Sequence, residues 1–405
     1  MALTFATMPA VAQGQVNPGA SNTTTQPGSL LYAWMKDNDA EDPAFLAVID
    51  SDPGSPLYGE LLTTTPTNEP LTDAHHTPHQ LPSNGHIFAN SFRDGRTFIY
   101  DVSTPHLPRL KNEFERIEDY SYPHSFAELP NGNFLITFQS SGEENDQAGG
   151  LLEMTPDGEL VRASSAEDRS TTDFIRPYSL ELMPNIDRVI SSSADMWQTQ
   201  ATEHIQLWRL SSLTLLDTIA LPPGERRNIH QIPLEIRPVG DGSSAYVITW
   251  NCGLYHLTGI GGNSINARLV WDFSSNACAI PLRIGNYWIQ AVGGDFQLAV
   301  LDIEDPSAPE LATVLSLPDG FQPHWLAAEP NGTRIVLTGY QALSDRIVLL
   351  NWDERVEHLS IVAGFGQPND DLPGFFTDRE IWPHGKTGEA TAHGVMFWPA
   401  EASIE

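Results

Sequence analysis

The sequence predicts an all-β fold, a seven-bladed β-propeller closed by N-terminal strands that pair with the C-terminal strand. A strand–turn–strand phrase recurs along the chain, a second repeat interleaves with it, and no stretch sustains apolar residues at i, i+3, i+4 and i+7. The first phrase is clearest at YPHSFAELPNGNFLITF from Tyr122, with matches at TPHQLPSNGHIFAN from Thr77, RPYSLELMPNIDRVISS from Arg176 and QPHWLAAEPNGTRIVLTG from Gln322. Each is an apolar run, a Pro-Asn or Asn-Gly turn and a second apolar run, the pattern of two antiparallel strands joined tightly. The second repeat reads FLAVIDSDPGSP from Phe45, TFIYDVSTPHLP from Thr97 and QLAVLDIEDPSAP from Gln297, with weaker copies from Gly149, His204 and Arg346. There an alternating strand ends in a Pro-rich turn and another strand follows. Together the two repeats give four strands over roughly 45–55 residues, the size of one blade.

Taken in chain order, the first strands of the blades begin near His76 or His79, His124, Tyr178, Leu234, Cys278, His324 and His393. The gap before the last is filled by residues 367–389, rich in Pro, Gly and Asp, which read as a loop. AHGVMFWP supplies one strand only, and its outer partners are the orphan pair near residues 43–63. Closing a ring in this way leaves no open sheet edge. Residues 29–400 are therefore expected to form one propeller, between a signal-like, disordered segment at 1–28 and a tail at 401–405.

The formal net charge is −31, from 21 basic and 52 acidic residues, which argues against nucleic acid and anionic membrane surfaces as partners. No apolar run is long enough to span a bilayer. Residues 1–15 read MALTFATMPAVAQGQ, apolar with an Ala-Val-Ala step, like the end of a secretory signal, so a periplasmic or secreted protein is expected, and cytoplasmic otherwise. The basic start of such a signal is missing, so a true start upstream of Met1 is an expectation of this reading. The two cysteines, Cys252 at the end of a second strand and Cys278 at the start of a first strand, fall on the same face of neighbouring blades. They are read as a disulfide, which export favours. A thiolate ligand at Cys278 is the sharper alternative. Tryptophans 208, 250, 271, 325, 352 and 398 are read as packing between blades, and the Asn-x-Thr triplets at Asn22 and Asn331 carry little weight.

Counting back seven residues from the turn asparagine lands on His124, Tyr178 and His324. First strands line the central channel of a propeller, so histidines at this one position in several blades converge near the axis. His75, His76, His124, His324 and His393 are the candidate metal ligands, with His79 close behind and His230 a weaker member. Neutral imidazole suits Cu, Fe or Zn. Asp73 and Glu235 are expected to orient ligand rings. His79 is assigned as ligand or proton shuttle, and Tyr178 as a channel residue that packs or reaches substrate. His86, His106, His204, His256, His358 and His384 are read as surface residues.

Several of these segments are similar to one family. Asp73-Ala-His75-His76 with the strand IYDVSTPHLPRL, PHSFAELPNGNFLITF, IPLEIRPVGDGSSAYVITWN from Ile232, QPHWLAAEPNGTRIVLTGY and AHGVMF resemble, in order, segments of the selenium-binding protein / methanethiol oxidase family. The resemblance implies a shorter, divergent member, a seven-bladed propeller and a copper-dependent oxidase. Such an enzyme converts methanethiol, with O2, to formaldehyde, hydrogen peroxide and hydrogen sulfide. Its ligands carry over to His75, His76, His124 and His393, whereas His324 rests on its position in the repeat. The family's cysteine-rich stretch after the paired histidines is replaced by Thr77-Pro78-His79-Gln80, which speaks against selenium or thiol exchange there. Two competing readings remain at this stage. One is a non-heme iron oxygenase, and the other is a non-catalytic propeller that binds selenium or another ligand.

Overall fold

The computed structural model describes residues 28–71, 73–171, 174–197, 203–224, 232–330, 332–340, 345–368 and 371–399. Residues 1–27 of the signal-like segment, the tail, Asn22, His230 and Asn331 lie outside them. Seven antiparallel sheets follow one another, and the innermost strands of successive sheets pack side by side around the ring. No α-helix occurs among the described residues, and no helix is long and apolar enough to cross a membrane.

The second blade shows why these sequences form stacked sheets. Its inner strand is Tyr120–Glu128, followed outward by Phe134–Ser141, Gln147–Met154 and Leu160–Ser165. Every residue of Phe134–Ser141 is buried, because both faces of a middle strand meet a neighbouring blade. The outermost strand instead alternates between exposed and half-buried residues. Four further blades begin with the inner strands Pro177–Met183, Pro233–Val239, Cys278–Ile284 and Pro323–Ala328. Trp208 and Trp325 are fully buried, and Trp250, Trp271 and Trp398 partly so.

The ring closes through Ala390–Trp398, which pairs with Leu30–Asp37, continued outward by Pro43–Asp50 and Leu61–Pro70. The N-terminus thus supplies three strands where the sequence suggested two. Leu30–Asp37 matches neither repeat, so the sequence pattern does not mark it as a blade strand. Of the expected loop at 367–389, the described residues 367–368 and 371–389 are largely irregular and are pinned by the short strand Phe375–Phe376. The first blade departs most from expectation. It has three regular strands, His86–Ser91, Arg96–Asp101 and Arg109–Phe114, and its inner position is taken by an irregular segment through residues 73–79. That segment still runs along the sheet: His75 donates its N–H to the Asn90 carbonyl (2.9 Å), and Asn90 donates to the His76 carbonyl (3.0 Å).

Cys252 and Cys278 are bonded, with Cα atoms 5.0 Å apart and both residues fully buried. Cys252 lies in the turn beyond Ser244–Thr249 rather than at its end, at a positive φ of 68°. The bond takes Cys278 out of contention as a thiolate ligand.

Candidate metal centre

The channel-lining strands share a local distortion. Their pairing with the next strand outward slips between Pro123 and Phe126, Pro177 and Leu180, Pro233 and Ile236, Cys278 and Pro281, and Pro323 and Trp325. In the closing blade the slip faces His393 and Gly394. Each is a β-bulge, which bends a strand and re-aims one side chain. His124, Tyr178, Glu235 and His324 all sit inside one. Five of the inner strands carry proline at the edge of the bulge, which is tolerated there because proline has no N–H to leave unpaired.

The paired histidines need a different device. Neighbouring residues on a regular strand point to opposite faces, yet the rings of His75 and His76 stack with centroids 4.4 Å apart and planes 16° apart. The irregular backbone of residues 73–79 permits this. Asn90 holds that backbone in place: its Oδ1 accepts the His76 N–H (2.6 Å), and its Nδ2 donates to the Pro123 carbonyl beside His124 (2.7 Å). Gly394 allows the same segment close approach, since a Cβ there would lie 2.5 Å from Thr77 Oγ1.

Five of the candidate imidazoles come together. Ring centroids are 4.2 Å apart for His75–His393 and His76–His124, 4.6 Å for His324–His393 and 5.2 Å for His75–His124. Nitrogens of His75, His76 and His393 all lie within 4.8 Å of one another. His124 Nδ1 is 2.9 Å from the Tyr178 carbonyl, to which it can only donate, so its Nε2 keeps a lone pair. Buried ring nitrogens without a hydrogen-bond partner occur on all five: Nε2 of His75, His124 and His324, and both nitrogens of His76 and His393. Such groups are costly unless something coordinates them. Burial lowers the pKa of each, to about 4 for His124 and His324. At His75, His76 and His393 burial and repulsion among the imidazoles take it well below the ordinary value. Near neutral pH the cluster is an uncharged set of lone pairs, the form a transition metal takes up without displacing protons. The donor set therefore fits a copper or iron ion.

His79 stands beside the cluster rather than in it. Its ring stacks on Trp325 (4.4 Å, 13°) and lies 6.4 Å from that of His76. Its Nε2 is 3.3 Å from Glu235 Oε2, while its buried Nδ1 has no partner. Glu235 also accepts from Ser179 Oγ and Arg237 Nη1, both at 2.9 Å. Burial works to raise the Glu235 pKa, but Arg237 and His79 hold it well below the usual carboxylate range. The carboxylate therefore orients His79, not a ring of the cluster. Asp73, expected to do likewise, faces Arg93 at 3.8 Å. Tyr178 packs its ring on His124 with centroids 3.9 Å apart. Among the presumed surface histidines, His204 is buried, and the half-buried His384 bonds Thr64 and Thr387. The contributions of Asn90 and Trp325 escaped the sequence reading. Arg237 had a signal, since it lies two residues beyond Glu235 on one strand and so shares its face.

No protein-family model matches the chain. It is 23% identical over 387 residues to the methanethiol oxidase of Hyphomicrobium sp, covering 88% of this chain and 84% of that protein. It is also 23% identical over 230 residues to the methanethiol oxidase of Bos taurus, half of this chain and 47% of that protein. A hypothetical selenium-binding protein from Sulfolobus tokodaii superposes with a TM-score of 0.73 at 17% identity, over 94% of this chain and 96% of its own. The periplasmic gluconolactonase of Pseudomonas aeruginosa reaches 0.64 at 12% identity, over 92% and 99%. The two structural likenesses establish the propeller fold. The sequence comparisons add a weak homology to the methanethiol oxidase / selenium-binding protein family over most of the chain.

Proposed function

We propose that the chain is an oxidase of a small thiol, methanethiol oxidase-like, which works with a histidine-held copper ion near the propeller axis and with O2. The observation that carries this is the convergence of five neutral, buried imidazoles with unpartnered nitrogens. The weak homology to oxidases of methanethiol points the same way. His75, His76, His124 and His393 would hold the ion, with His324 at the edge of the set, stacked on Tyr340. A bound copper ion would supply one-electron chemistry with O2 and affinity for sulfur.

The rest falls to the chain's own residues. Oxidising methanethiol with O2 and water to formaldehyde, hydrogen sulfide and hydrogen peroxide requires protons to leave the substrate and reach reduced oxygen. His79 is suited to carry them, because Glu235 fixes its Nε2–H and leaves Nδ1 as the acceptor. The Tyr178 carbonyl fixes the tautomer of His124, and the Tyr178 ring shields that imidazole from water. In this reading the protein is exported, which the Cys252–Cys278 disulfide supports.

Iron is the second reading, since an all-imidazole set accepts it as well. Metal analysis of the purified full chain separates the two. Copper near one per chain, lost in His124→Ala and again in His393→Ala with unchanged circular dichroism, is expected. Iron at that stoichiometry favours an oxygenase. No metal above background, or full retention in both variants, refutes the centre.

A further inference from the structure

The channel widens beyond His79 into a cavity of about 730 Å³, lined by that histidine and by the outer-mouth ends of the inner strands. Its size lies in the range of pockets that hold whole organic ligands, far more than a one-carbon thiol fills. Phe126, Leu180, Leu182, Leu282 and Leu326 form apolar walls. Four charged side chains break them, Arg237, Arg283, Glu128 and Glu181, and their engagements differ. Glu128 accepts from the Ser83 N–H (2.7 Å) and the Ser83 hydroxyl (2.8 Å). Arg237 Nη1 donates to Glu235 (2.9 Å) and to the Ile236 carbonyl (2.6 Å). Arg283 donates to the carbonyls of Gly285 (3.0 Å), Pro238 (3.0 Å) and Gly240 (3.3 Å). Both guanidinium groups are committed to the protein. Glu181 is not, for its nearest cation among the described residues is Arg237 Nη1 at 3.9 Å, beyond hydrogen-bond distance. Burial pushes the Glu181 pKa up to about 7, and Arg237 offsets only part of that. A second cationic donor would complete its surroundings.

We propose that this cavity receives the ammonium end of an aliphatic aminothiol, with the Glu181 carboxylate as counter-charge and the leucines around the methylene stem. The inference deepens the thiol-oxidase reading and rests on it for the thiol. The cation selectivity stands on the cavity itself. The net charge of −31 works in the same direction by drawing small cations to the molecule.

Calorimetric titration of the metal-free full chain with n-butylammonium, n-butanol and butyrate tests the selectivity without turnover. Butylammonium is expected to bind at least about tenfold more tightly than the other two, the worth of one charge-assisted hydrogen bond. Glu181→Gln should abolish that preference, and Leu182→Trp, which fills the cavity, should weaken butylammonium binding. Equal affinity for the three probes, a preference for butyrate, or a cation preference that survives Glu181→Gln overturns the inference. Turnover by the metal-loaded enzyme separates this from the function. If methanethiol is oxidised and the cation preference is absent, the inference fails and the oxidase stands. If the preference is present but neither methanethiol nor 2-aminoethanethiol is oxidised, the oxidase fails and takes the aminothiol with it.

Discussion

A single imidazole such as His324 carries two opposed requirements. It must be enclosed to define a site, and enclosure makes it refuse a proton. A histidine in the unfolded chain titrates near 6.5, whereas His124 and His324 titrate at about 4 in the fold. Above pH 6.5 both states are neutral and the difference contributes nothing. As the pH falls through 6.5 towards 4, the unfolded chain gains protons that the fold excludes, so stability is lost. The loss is about 2 kcal/mol per such imidazole at pH 5. Urea unfolding of metal-free protein at pH 7 and pH 5 should show it, and His324→Asn should flatten the dependence. An equal slope in the variant contradicts the account. Position in the repeat made His124, His324 and His393 legible in the sequence. The Tyr178 carbonyl that orients His124 was not legible, because every residue has a carbonyl and only coordinates say where it points.

At the scale of the element, the bulge in each inner strand converts a repeated sequence phrase into a repeated aim. Strand alternation alone would have located these residues only by face, and the bulge turns one of them towards the axis. Turn chemistry and alternation revealed most strands. They failed at residues 73–79, where hydrogen bonds from Asn90 replace a regular ladder, and at Leu30–Asp37, buried on both faces and so without alternation. The disulfide fastens the turn after Ser244–Thr249 to the inner strand Cys278–Ile284. It closes a loop of sequence separation 26. Replacing both cysteines by serine should cost about 3.5 kcal/mol by the loop-closure relation. The denaturation midpoint before and after the change measures this. An unchanged midpoint would mean that neighbouring contacts already fix the turn.

For the whole molecule the dominant electrostatic fact is the charge of −31 spread over one closed ring. Self-repulsion of that size opposes compactness and is screened by salt. Raising sodium chloride from about 50 mM to about 500 mM should therefore raise Tm by a few degrees. Calorimetric scans would show it, and a falling Tm would mean that ion pairs such as Arg334–Glu329 outweigh the repulsion.

The ring closure also orders events in time. His75 and His76 belong to the first blade, whereas His393 lies on the strand Ala390–Trp398, more than three hundred residues later. A nascent chain emerging from the ribosome can pack its middle blades early. It cannot hold a metal through His75, His76 and His393 until residue 393 has been made. Premature termination would therefore release a fragment without the complete imidazole cluster, so any chemistry of that cluster has to wait until the ring has shut.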